Sequence, residues 1–409
     1  MKTGKYILLI SLFFFFINSG CKPGEEDNNT DKYLKSYKTL TLITVTEDMI
    51  DELLNSFNEP ALNDGKVQNL TIHPVKMYKI SFRTIYKGKE IIASGTITMP
   101  QDSGEFPVLI YHHGTIFKDS KAPSNYKGTT DIEAETALNL IISSTGYISI
   151  SPDYTGYGES TNILHPYHIE DPTVSNIVDM IRAAKELFVK LNVSWTNKFF
   201  ITGYSEGGYT GMSLQKAMET EYSSEFELKA SSLGAGAYYL SETIKRMMED
   251  GSLVSPAYIS FIIMAYNNYY GWERDPSEFF KSPYDEEIKN GILNGSFTQR
   301  EINNRLNFRT KALFRNQFLF DFRNQGEDQF KKSFAENDLF KGWVPSVPTR
   351  LYHGTSDKTV PPFNSITARN SFYFSGANEV EYIPLKNKTH ETAILPWIKE
   401  TLIWFDSFK

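Results

Sequence analysis

The residues Lys198 to Thr202 (KFFIT) run directly into Gly203-Tyr204-Ser205-Glu206-Gly207-Gly208, and a helical stretch follows to about Glu221. A buried strand that ends in G-x-S-x-G and turns at once into a helix leaves few folds open. Gly203 and Gly207 permit the tight, strained turn that lifts the Ser205 hydroxyl above the end of the strand. The rest of the chain has the same rhythm. Two alternating segments between Tyr78 and Met99 flank Lys87-Gly88-Lys89 and predict an antiparallel pair. Phe106 to Tyr111 (FPVLIY) reads as a strand buried on both faces, ending in His112-His113-Gly114-Thr115. A helix over Asp131 to Ser144 and a strand over Tyr147 to Ser151 follow. Apolar residues at Val174, Ile177, Val178, Ile181, Ala184, Leu187, Phe188 and Leu191 have helical spacing, with Ser175 as the expected cap. Leu228 to Leu233 is a further strand. Strands alternating with helices imply right-handed βαβ units and a mostly parallel sheet flanked by helices.

The rhythm stops from about Tyr239 to Val344, where the segments look helical and are crowded with aromatics, among them Tyr258, Phe261, Trp272, Phe314 and Phe318. It resumes with a strand at Thr349 to His353, a helix near Phe363 to Phe374, a strand at Val380 to Leu385 and a helix from about Thr392 to Phe408. The domain reading is therefore one α/β unit over 37–238 and 345–409, with a helical cap over 239–344 inserted before a late strand.

A serine hydroxyl is a poor nucleophile at neutral pH and needs a base within hydrogen-bond reach. Only seven histidines are available, and in a fold of this layout the partners follow the serine in the order acid, then histidine. His390 lies in the loop after the last strand and is the expected base, whereas His353 sits inside a strand and reads as structural. Asp357 follows the end of its strand and is the expected acid that orients the imidazole; the bland alternative is an aspartate that only caps the next helix. A tetrahedral intermediate needs preorganised N–H donors. The amide of Glu206 is one, and the amide of Thr115 is the second, with Gly114 as the alternative. His112 and His113 read as braces of that loop, and Glu206 as acting through its backbone.

The motifs HHGT, SPDYTGYG, GYSEGGYT, HGTSDKTVPP and KTHETA, in that order, resemble α/β-hydrolases of the secretory lipase family, which includes yeast lipase A-type enzymes and bacterial esterases. The resemblance runs from about Phe106 to Lys409, and the separation of 152 positions from Ser205 to Asp357 leaves room for the large helical cap this family inserts before its acid strand. It implies an α/β-hydrolase fold and hydrolysis of carboxylic esters or lipids by a triad matching Ser205, Asp357 and His390. A cap rich in aromatics over the serine favours uncharged short- to medium-chain or aromatic esters. A serine peptidase of prolyl peptidase type would use the same triad, but Asp31 to Pro100 is too short for a propeller and shows no blade repeat. A non-catalytic binding protein would be favoured by loss of a triad member, and none is missing.

Lys2 and Lys5 precede an apolar run from Tyr6 to Ile17, 12 residues, too short to span a bilayer as a helix. With Ser19, Gly20 and Cys21 it resembles a bacterial lipoprotein signal, although Asn18 stands where leucine is usual; an ordinary cleaved signal is the alternative. Residues 1–20 thus read as a signal, Cys21 as the lipidated residue and 21–36 as a flexible tether, placing an exported lipoprotein on the periplasmic or cell-surface side of a bacterial membrane. The single cysteine leaves no internal disulfide, so stability rests on the core, for which 40% hydrophobic residues are ample. A net charge of −7 without a basic cluster excludes a nucleic-acid footprint. No P-loop or dinucleotide fingerprint is present. His112 with His113, and His165 with His168, lack the companions of a zinc site. No metal and no organic cofactor is expected.

Overall fold

The structure is a computed structural model that describes residues 31–43, 72–127 and 134–409. The signal, Cys21 and the first ten tether residues lie outside that range, as do the three residues from Asp131 that the sequence assigns to the next helix. The described strands, β1 (Leu34–Ile43), β2 (Val75–Tyr86), β3 (Lys89–Pro100), β4 (Phe106–His112), β5 (Ile148–Pro152), β6 (Trp195–Tyr204), β7 (Glu227–Gly234), β8 (Thr349–Gly354) and β9 (Val380–Leu385), form one sheet. Their order is β1-β2-β3-β5-β4-β6-β7-β8-β9. The first three and β5 pair antiparallel; from β5 to β9 every pairing is parallel.

The apolar runs become strands because both faces of the sheet are covered. Val108, Ile110, Phe199 and Ile201 point to a core beneath α2 (Glu170–Leu191) and α3 (Glu206–Thr220). Their neighbours Leu109, Tyr111 and Phe200 point to the opposite core, under α1 (Ala134–Ser144) and α13 (Ile394–Asp406). This alternation with a period of two is the pleat itself. The remaining helix of this layer, α12 (Phe363–Phe374), contributes Ala368 and Phe372 to the first core.

Between β7 and β8 the described chain is helical: α4 (Leu240–Glu249), α5 (Pro256–Tyr269), α6 (Pro276–Phe279), α7 (Tyr284–Lys289), α8 (Gln299–Arg305), α9 (Thr310–Leu313), α10 (Asn316–Arg323) and α11 (Asp328–Glu336). These helices share a second core, joined by Phe117, Tyr167 and Ile169 from loops of the sheet layer, in which Phe279, Phe314, Phe318, Phe330 and Phe334 pack together. Leu339, Phe340 and Trp343, inside the stretch read as cap, belong instead to the main core.

Two sequence expectations need correction. β1 begins at Leu34, inside the stretch 21–36 read as tether, because the Glu186 carboxylate on α2 accepts the amides of Lys32, Tyr33 and Leu34, and Leu34 is buried. Ser175 does not cap a helix: α2 starts at Glu170, with acidic Glu170 and Asp171 in its first turn, where the helix dipole favours them. The Glu170 amide donates to Asn337 Oδ1 at 2.8 Å, a cap supplied from the far end of the helical insertion.

Candidate active site

The carboxyl ends of β4, β6 and β8 bring the sequence candidates together. Ser205 follows β6 with φ 60° and ψ −118°, a left-handed conformation that costs a non-glycine residue of order 1–3 kcal/mol unless its surroundings enforce it. They do. The Ser205 amide donates to the Gly234 carbonyl on β7 at 2.9 Å, and α3 leaves immediately. A methyl group at Gly203 would overlap the Gly207 carbonyl, and one at Gly207 would overlap the His112 carbonyl and lie 2.9 Å from the His113 carbonyl oxygen. Both glycines are thus demanded by the close approach of β4, β6 and α3.

His390 Nε2 lies 2.9 Å from Ser205 Oγ, and His390 Nδ1 lies 2.6 Å from Asp357 Oδ2. The loop carrying His390 is held by the Tyr204 hydroxyl, which donates to the His390 carbonyl at 2.7 Å. Asp357 Oδ1 accepts from the amides of Thr359 and Val360, both at 2.9 Å. Burial pushes the Asp357 carboxyl up, but His353 nearby and the hydrogen bond from His390 outweigh it and hold the group at about 2. It is therefore a carboxylate at neutral pH and can only accept. His390 Nδ1 must carry the proton, which leaves the Nε2 lone pair facing the serine hydroxyl. His353 is fully buried, with Nε2 donating to the Val360 carbonyl at 2.7 Å and Nδ1 beside Ser365 Oγ at 2.7 Å.

Of the oxyanion candidates, Glu206 opens α3, and the first amides of a helix have no partner within it. The Gly114 amide donates to Glu135 Oε1 at 3.2 Å; the alternative donor is thus engaged, while Thr115 uses its side chain, 2.9 Å from the Tyr167 hydroxyl. A cavity beside Ser205 and Glu206 is lined by Ala237, Leu240, Ile244, Met247 and Ile262. Leu240, Ile244 and Met247 recur at helical spacing on α4, so one face of the insertion looks onto the serine.

Sequence reasoning missed three contacts around this site. Glu206 Oε1 lies 2.7 Å from His165 Nε2, Tyr111 donates to Glu135, and the Tyr204 hydroxyl carries the His390 loop. An acid placed directly after the serine was the one signal for the first. His112 is buried with both ring nitrogens unpartnered among the described residues, and burial, with His113 adjacent, holds it down at about 3. Among the described residues no cluster of ligating side chains could hold a metal ion, and no helix is long and apolar enough to cross a membrane.

A mostly parallel sheet covered by helices, with serine, histidine and aspartate meeting at the carboxyl ends of its strands, defines the α/β-hydrolase class. Within that class the chain belongs to the secretory lipase family, whose model matches residues 120–408. It is 22% identical to Lipase 9 of Candida albicans over 68% of this chain, and it spans 59% of the length of that relative. In three dimensions it is similar to the rice cell wall degrading esterase LipA of Xanthomonas oryzae, with a TM-score of 0.79 and 26% identity over 92% of this chain and 99% of that one. Candida antarctica lipase A shares the fold at a TM-score of 0.64 and 16% identity, over 91% of this chain and 82% of that one.

Proposed function

We propose that the chain is a serine carboxylester hydrolase that works through an acyl-enzyme on Ser205. The observation that carries this reading is the unbroken series Asp357 Oδ2, His390 Nδ1, His390 Nε2, Ser205 Oγ, with steps of 2.6 and 2.9 Å across the imidazole. Ser205 Oγ attacks the ester carbonyl while His390 Nε2 takes its proton; Asp357 stabilises the imidazolium that forms. The tetrahedral oxyanion is held by the amides of Glu206 and Thr115. Collapse expels the alcohol with the proton from His390. Water then repeats the sequence on the acyl-enzyme and releases the acid.

The aliphatic wall of α4 and α5 binds the acyl group and excludes water from it. Uncharged short- to medium-chain or aromatic esters suit such a wall, and the helices from α4 to α11 act as a cap over the serine. Export, with Cys21 as a lipid-bearing anchor ahead of residue 31, completes the reading. The test is labelling with a fluorophosphonate followed by peptide mapping. The adduct is expected on Ser205 and absent in His390→Ala; an unlabelled wild type would refute the serine hydrolase.

A further inference from the structure

Burying a carboxylate costs several kcal/mol unless a partner neutralises it, yet Glu206, directly after the nucleophile, is only 4% exposed. Its partner is His165, on the loop between β5 and α2 and equally buried. His165 Nδ1 lies 2.7 Å from the Thr155 carbonyl oxygen. A carbonyl oxygen only accepts, so Nδ1 carries a proton. A second proton must then sit between Nε2 and Glu206 Oε1, 2.7 Å apart. Burial pushes the Glu206 carboxyl up, and His165, facing it across a hydrogen bond, more than offsets this. With one proton on Nδ1 and one between the two side chains, the pair carries no net charge. The other titratable groups facing it include His113, His168, Tyr154, Tyr157, Tyr167 and Tyr258. Burial keeps the tyrosines protonated and His168 neutral.

The peptide unit that bears the Glu206 amide is thus gripped from two sides. On one side the Ser205 amide is fixed to Gly234. On the other the Glu206 side chain is fixed to the loop bearing His165, which is closely packed on itself: a methyl group on Gly156, at φ 102°, would lie 2.6 Å from the His165 Cα. We propose that the buried Glu206–His165 pair positions the oxyanion donor: it locks the orientation of the Glu206 amide and cancels a carboxylate charge that would otherwise oppose the developing oxyanion. Both side chains are positioning residues. The proposal rests on the serine hydrolase reading and adds to it a requirement for a charge-balanced acid at position 206.

The experiment compares wild type, Glu206→Ala and Glu206→Gln in hydrolysis of nitrophenyl acetate and in inhibition by phenylboronic acid, whose tetrahedral adduct on Ser205 occupies the oxyanion position. Losing an oxyanion donor costs about 10²–10³ in kcat, and loosening one should cost less. Glu206→Ala is expected to lower kcat about 30-fold with KM within about threefold, and to weaken the boronate by a similar factor. Glu206→Gln, which can donate to a neutral His165, should recover at least about fivefold of the loss. A Glu206→Ala enzyme with kcat within threefold of wild type, a loss confined to KM, or a glutamine variant no better than alanine would overturn the proposal. If Glu206→Ala does not fold, His165→Gln must show the same kcat-only loss, and a wild-type kcat in that variant overturns it equally. A wild type that neither hydrolyses esters nor takes up fluorophosphonate would instead refute the hydrolase reading.

Discussion

An asparagine at position 357 would be held one way round, and that orientation disables the base. Asp357 Oδ1 accepts two amide protons, from Thr359 and Val360, while Oδ2 faces His390 Nδ1. An NH2 group cannot replace the oxygen that accepts both amides, so asparagine keeps its oxygen there and turns its NH2 to His390. His353 Nε2 is 3.4 Å from Oδ2 and already gives its proton to Val360, so it weighs little in the choice. Facing a donor, His390 Nδ1 must give up its proton, and the neutral imidazole then carries hydrogen on Nε2, toward Ser205 Oγ. The heavy atoms stay in place while the general base disappears. Holding the wrong tautomer costs about 10⁴ in kcat, or about 5.5 kcal/mol of transition-state stabilisation. Because the loop bonds survive, the loss of stability should stay within about 2 kcal/mol. The assay is kcat on a nitrophenyl ester near neutral pH, alongside thermal melting and the nitrogen shifts of the His390 ring. An Asp357→Asn enzyme within tenfold of wild type, or one with Nδ1 still protonated, would refute the argument.

Gly207→Ala forces a methyl group into the carbonyls of His112 and His113, both main chain; activity should fall more than about 100-fold and stability by about 3 kcal/mol, and a variant that melts and turns over like wild type would contradict the packing. Burial holds His112 at about 3 and His168 at about 4, whereas an unfolded histidine titrates near 6.5. Between pH 6.5 and about 4 the unfolded chain therefore takes up protons the folded one refuses, so stability falls as pH falls. From pH 7 to pH 5 that loss is about 2 kcal/mol for each histidine; in urea unfolding His168→Phe should remove one of the two contributions, and a stability that is flat or rising toward pH 5 would contradict it. In a bacterial host, a palmitate analogue should label the wild type and not Cys21→Ser, and an unlabelled wild type would remove the anchor.

The parts of the fold written in short-range pattern were legible. Strands buried on both faces appear as apolar runs, and Phe363–Phe374 and Val380–Leu385 have the same ends in sequence and structure. The turn at Ser205 was legible because its glycines, strand and helix are contiguous, and the order of serine, aspartate and histidine along the chain pointed to the three side chains that lie together. What stayed hidden depends on partners far away in the chain. β1 is an edge strand with few buried residues, pinned at its start by a carboxylate more than 150 residues later. The start of α2 is capped by Asn337, 167 residues away. His165 lies outside the motifs, 41 residues before Glu206, and no local periodicity links them. That Leu339, Phe340 and Trp343 join the main core was not legible, because they are as apolar as the helices before them.

Ester hydrolysis through Ser205 is tested most directly by kcat/KM for nitrophenyl esters from acetate to palmitate and for chromogenic peptide amides, in wild type, Ser205→Ala and His390→Ala. The wild type should favour the short- to medium-chain esters and cleave amides far more slowly, and each variant should lose about 10³-fold or more while remaining folded. Amides turned over faster than every ester, or either variant within tenfold of wild type, would contradict it.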